Sequence, residues 1–159
     1  MERSESSPPV WSVALGFSLG PGVAAALFAL ASPMYAGLPD MADRIVRTAV
    51  AVAWVVYPVA LTFGLPLYFV LRRRARPTAL NCAVAGGFVA ALPWLLLSII
   101  TPNEASTGNV VTVHNHLRTT AGWLELLQVV GGISIFGAVA GLVFWCAVSV
   151  GRLAGAKSA

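Results

Sequence analysis

His114 and His116 are the only histidines of the chain, set one residue apart in Val113-His114-Asn115-His116. On extended backbone, residues i and i+2 share a face. Both imidazoles would then stand side by side, and Glu104 or Glu125 would complete a three-ligand site for an outer-face metal sensor or metalloenzyme. The competing reading is a solvated loop pair, because His-x-His alone lacks the spacing of a metal family. Asn115 makes the triplet His-Asn-His, which without its surrounding fold is no nuclease signature. His114, His116 and Glu125 therefore stand as candidates only. No catalytic residue and no cofactor is assigned.

Glu125 and Gln128 lie one helical turn apart, and Arg47 and Arg118 are the cations that could reach them. A Glu125–Arg47 or Glu125–Arg118 pair would lower the cost of holding charge beside lipid. An inter-helix clasp of this kind is favoured over a catalytic acid. Cys82 and Cys146 permit at most one disulfide. They show no CxxC or metal-type spacing and read as small apolar residues in reduced form.

The elements that must position these residues are four apolar stretches, at about 10–31, 48–71, 78–100 and 124–150. Each reaches the roughly 20 residues that span about 30 Å of hydrocarbon as a helix. Across 159 residues, 58% are hydrophobic and 10% charged; a soluble domain carries about 25% charged residues. Too few charges remain to cover a water-facing surface, so the solvent is lipid. The expected fold is all-α: a single membrane domain over 1–159, an antiparallel bundle of four transmembrane helices.

Residues 1–9 read as a short disordered tail. The first stretch carries Pro21 between Gly20 and Gly22, which predicts a kink. Ala29-Leu30-Ala31 fits a small-x-small cleavage pattern. However, Glu2 and Glu5 offset Arg3 ahead of the stretch, and its length exceeds an h-region of about 7–15 residues. An uncleaved first span is therefore expected. Asp40 follows Pro39 as an N-cap, and Asp40/Arg44 and Asp43/Arg47 are favourable i,i+4 pairs. The second helix thus starts in the headgroup region and enters the membrane near Thr48. Pro58 and Pro66 bend it. Pro93 sits in the third stretch, and the fourth has no proline. Residues 101–122 form a polar outer loop, in which Val110–Val113 marks a short extended piece.

Orientation follows from Arg72, Arg73, Arg74 and Arg76, which lie between the second and third stretches. Placing them inside puts both termini in the cytoplasm, with seven basic residues inside (Arg3, Arg72, Arg73, Arg74, Arg76, Arg152, Lys157) and three outside (Arg44, Arg47, Arg118). The net charge of +4 then reads as a topology signal and an attraction for anionic headgroups. Nucleic acid is not an expected partner, since no soluble basic domain exists to dock it.

The apolar centres hold no ionisable residue; Ser18, Thr62, Ser98, Gln128 and Ser134 are the deepest polar groups. That argues against a proton pump or a charged-substrate transporter. Gly16–Gly20 and Gly137–Gly141 are both GxxxG pairs, and Ala83, Gly87 and Ala91 form a similar small stripe. Gly16, Gly20, Gly87, Gly137 and Gly141 are the candidate helix-packing positions, where backbones can approach closely. Trp11, Trp94, Trp123, Trp145, Tyr35 and Tyr68 fit interfacial anchors, and the deeper Trp54 fits packing.

Gly64-Leu65-Pro66-Leu67-Tyr68 running into Arg72–Arg76, then Gly86-Gly87, then Gly137–Gly141 ahead of Phe144-Trp145, resembles small uncharacterised four-span proteins of bacterial inner membranes. The resemblance covers the second to fourth spans in texture. It implies a multi-pass inner-membrane protein and carries over no activity and no functional residue. The leading expectation is a non-enzymatic accessory or scaffold protein acting through helix contacts, with the lipid bilayer, a second copy or another membrane protein as partner. The rivals are an oligomeric transporter or channel for a small neutral solute, using the proline-broken helices, and an outer-face metal-binding sensor or enzyme at the two histidines.

Overall fold

The structure, a computed structural model, describes residues 9–34, 37, 39–74, 78–98, 100, 105–107, 110–114 and 117–157. In chain order these form α1 (Val10–Ala31), α2 (Met41–Val59), a π-helical turn (Ala60–Gly64), α3 (Leu65–Arg74) and α4 (Ala79–Leu97). The strands β1 (Ala105–Thr107), β2 (Val110–His114) and β3 (Leu117–Arg118) follow, and then α5 (Thr120–Lys157). Four helical segments are long and apolar enough to cross a membrane: Val10–Ala31, Met41–Arg73, Ala79–Leu97 and Thr120–Ala154.

Local chemistry sets the helix starts. The Asp40 carboxylate accepts from the Ala42 amide at 3.0 Å, capping α2. The Thr78 hydroxyl accepts from the Asn81 amide at 3.2 Å, capping α4. Both satisfy amides that the first helical turn leaves without intrahelical partners. Where the prolines of the second helix predict a bend, the structure has a π turn, between Pro58 and Pro66. Neither proline offers an amide hydrogen, and the i→i+5 pattern accommodates the interrupted ladder between them.

The expectation of an all-α chain needs one amendment. Part of the 101–122 segment is a three-stranded antiparallel sheet in the order β1-β2-β3. Ser106 pairs with Val111, Thr107 with Val110, and His114 with Leu117. The Val110–Val113 alternation marked only the central strand; β1 and β3 are too short to show a period. The sheet packs on the first turns of α5. The Thr119 hydroxyl donates to the Val111 carbonyl at 2.8 Å and accepts from the Gly122 amide at 3.2 Å, joining sheet and helix start. α5 therefore begins at Thr120 and, at 38 residues, reaches roughly 57 Å at 1.5 Å per residue. It extends beyond the apolar stretch of 124–150 at both ends.

α5 is the central element, packing against both α4 and α1; α1 also packs against α2. The buried positions are mostly small: Ser12, Gly16, Gly20, Ala24, Ala25, Ala29, Cys82, Gly87, Ala91 and Gly151. The large apolar side chains point outward, with Trp54 79% and Leu80 72% exposed.

Candidate binding chamber

The glycines expected at helix contacts lie where helices meet. On the α4–α5 seam, a Cβ added at Gly141 would collide with the Cys82 carbonyl. One at Gly86 would collide with the Gly137 carbonyl, and one at Gly87 would stand 3.1 Å from the Ser134 carbonyl. On the α1–α5 seam, a Cβ at Gly20 would stand 2.9 Å from the Ala140 carbonyl, and one at Gly16 would press on the Phe144 ring. All five candidate positions thus face a neighbouring helix of the same chain.

α2 and α3 are held differently. α2 rests on α1, where Thr48, fully buried, ties the connector down. Its hydroxyl accepts from the Met34 amide at 2.8 Å and donates to the Arg44 carbonyl at 2.7 Å. The π turn touches α4, but α2 and α5 stand apart. The space between them is a chamber of about 440 Å³, walled by residues such as Val56 and Val59 of α2, Val89 of α4 and Phe136 and Ala140 of α5. Ligand pockets fall at roughly 300–1,000 Å³, so this volume suits a small organic molecule. Along α4 the wall runs from Asn81 to Trp94, roughly 20 Å of helix, so the chamber is elongated. Ala60 and Gly64 of the π turn form part of it, and single π turns recur at functional sites.

Apart from the Trp94 indole at the other end, the polar side chains of the wall gather near one end. Tyr68 and Arg72, one turn apart on α3, and Asn81 and Cys82 in the first turn of α4 bring a hydroxyl, a guanidinium, an amide and a thiol together there. The Tyr68 ring meets Phe17 edge-on at 6.3 Å between centroids and Phe144 at 5.4 Å. Its hydroxyl is buried and has no hydrogen-bond partner among the described residues. Such a group costs about 1–3 kcal/mol, and in native structures it usually marks a missing partner. Arg72 is exposed at the chamber mouth, with no carboxylate within ion-pair distance among the described residues.

Among the described residues, His114, Glu125, Arg47 and Arg118 do not line the chamber. His114 is exposed on β2; His116 and Glu104 lie outside the described residues. Among the described residues no three His, Cys, Asp or Glu side chains gather as a metal site. Arg47 is exposed on α2 and Glu125 is half-buried on α5, with no ion pair between them among the described residues. Arg118 instead donates to the Ser98 carbonyl at 3.4 Å, linking β3 to the end of α4. Arg73 is exposed beside Arg72, and Arg76 lies outside the described residues. The chamber itself escaped the reading of the residues. Its available signal was the Pro58/Gly64/Pro66 spacing opposite the small residues of the fourth apolar stretch.

Comparison of the chain with protein-family models, with curated proteins and with solved structures finds no match.

Proposed function

We propose that this chain is a four-helix integral membrane protein of a bacterial inner membrane, with both termini cytoplasmic, and that it binds a small apolar or amphiphilic molecule in its chamber without chemical conversion. The single observation that carries the binding reading is the elongated apolar chamber of about 440 Å³ between α2 and α5. Membrane insertion is supported by the inverted packing. Small residues are buried while Trp54, Leu80 and Leu127 are exposed, which suits lipid as solvent and would cost a soluble protein its solubility. The antiparallel arrangement is supported by the short α3–α4 connection, and the orientation by the Arg72–Arg76 cluster.

The accessory-protein reading keeps one supporting observation. Within the most apolar 18 residues of Met41–Arg73, a stretch that excludes the buried Thr48 and Tyr68, no residue is buried, so this part of the segment presents a face that lipid or a partner helix would cover. A role for the glycine seams in joining two copies is disfavoured, because those seams already serve contacts within the chain.

Two measurements test the proposal. Native mass spectrometry of the purified protein is expected to show a bound apolar adduct that Val56→Phe and Ala140→Phe, which fill the chamber, remove. An adduct unchanged in both variants counts against the chamber. Labelling of Ser106→Cys by a membrane-impermeant maleimide in intact cells, in a background lacking Cys82 and Cys146, is expected from the outer side. Labelling only after lysis reverses the orientation.

A further inference from the structure

The polarity of the chamber is one-sided, and that asymmetry selects a ligand class. Most of its length offers only hydrocarbon and aromatic rings, which suit an extended chain. At the remaining end Arg72 is a cation with no carboxylate partner among the described residues, and Tyr68 carries a buried hydroxyl with no partner. Residues four apart share a helix face, so α3 brings both to the same wall. Asn81 lies across the mouth on α4. A neutral hydrocarbon would leave the Arg72 charge and the Tyr68 hydroxyl as they are. An anionic head on a single chain would pair the first and offer an oxygen to the second.

Resting on the binding reading above, we infer that the chamber takes a single-chain anionic amphiphile. Its tail lies along α4 and α5, its head pairs with the Arg72 guanidinium, and Tyr68 one turn deeper donates to an oxygen at the head end. Arg72 differs here from its neighbour Arg73, which is exposed and does not line the chamber. General attraction of a basic segment for anionic headgroups would treat the two arginines alike; a site would not.

The test is equilibrium binding of three chain-matched probes, palmitate, methyl palmitate and hexadecane, to the full-length detergent-purified protein. Palmitate is expected to bind most tightly. Arg72→Gln is expected to weaken palmitate about tenfold, the scale of one charge-assisted hydrogen bond, and to leave methyl palmitate unchanged. Arg73→Gln is expected to change neither. Tyr68→Phe is expected to weaken both oxygen-bearing probes about fivefold and to leave hexadecane unchanged. Equal losses of palmitate in Arg72→Gln and Arg73→Gln, or equal affinity for palmitate and its methyl ester, would overturn the head assignment while leaving the chamber intact. Undiminished binding of all three probes to Val56→Phe would overturn the chamber reading itself. Circular dichroism of each variant, with helix content matching the parent, establishes that losses come from the site.

Discussion

The Tyr57 hydroxyl of α2 donates to the Ser18 carbonyl of α1 at 2.6 Å, three residues before Pro21. Pro21 has no amide hydrogen to bond the Phe17 carbonyl, so the backbone ladder of α1 is interrupted where Tyr57 arrives. A neighbouring helix thus supplies polar contact beside a proline break, the condition under which such breaks are tolerated in membrane helices. Gly22 makes room: a Cβ there would stand 3.0 Å from the Tyr57 oxygen. Tyr57→Phe is expected to lower stability by about 1 kcal/mol, read from reversible denaturant titration in mixed micelles. An unchanged midpoint would mean that the bond contributes nothing net.

The α4–α5 seam is the least tolerant part of the molecule. Gly141 lies against the Cys82 backbone and Gly86 against Gly137, so even a methyl group must push two helices apart. Gly141→Leu and Gly86→Leu are expected to cost about 3 kcal/mol or more, at the upper end for overpacking. Gly131 has nothing within 4 Å of an added Cβ. Gly131→Ala is therefore expected to be neutral or to stabilise by up to about 1 kcal/mol through helix propensity. Thermal unfolding of the three variants in one detergent checks the contrast. Equal effects at Gly131 and Gly141 would refute the seam.

Glycine spacing announced that Gly137 and Gly141 share a helix face, but not which helix that face would meet. The partners Cys82 and Gly86 follow from tertiary arrangement, since a small stripe is complementary to any other small stripe. The Asp40 cap was legible because capping is local, between a side chain and an amide two residues on. The chamber was not, because an unfilled space depends on which helices fail to touch, and no short stretch of residues encodes that. The sheet falls between these cases: Val110–Val113 alternates visibly, while its pairing with Ser106 and with Leu117 rests on strands of three and two residues.

Thr48 holds the α1–α2 corner by accepting from Met34 and donating to Arg44. It is fully buried, so Thr48→Val keeps the shape while leaving the Met34 amide without this acceptor. The expected cost is about 1–3 kcal/mol, and Thr48→Ser, which keeps the hydroxyl, is expected to recover most of it. Denaturant titration of the pair separates the hydrogen bonds from the packing. A loss in Thr48→Ser with none in Thr48→Val would assign the effect to the methyl group instead of the hydrogen bonds.

Gly122 decides whether the sheet stays on α5. Its Cα faces the Thr112 backbone, and a Cβ there would overlap the Thr112 carbonyl. That carbonyl accepts from the Thr119 amide at 3.0 Å. Gly122→Val is therefore expected to lift β2 from the first turn of α5 and break the Thr119 bonds, while the helices, which meet the sheet at the start of α5 and through the Arg118–Ser98 bond at the end of α4, stay folded. Limited proteolysis should then cleave near Val111–Val113 faster in the variant, with the circular dichroism of the helices nearly unchanged. Thr119→Ala, which removes the hydroxyl's contacts to the Val111 and Thr112 carbonyls and its bond from the Gly122 amide but keeps the Thr119 amide bond, should have a smaller effect in the same direction. If Gly122→Val resists proteolysis as well as the parent, the sheet is held by other contacts than those at the start of α5.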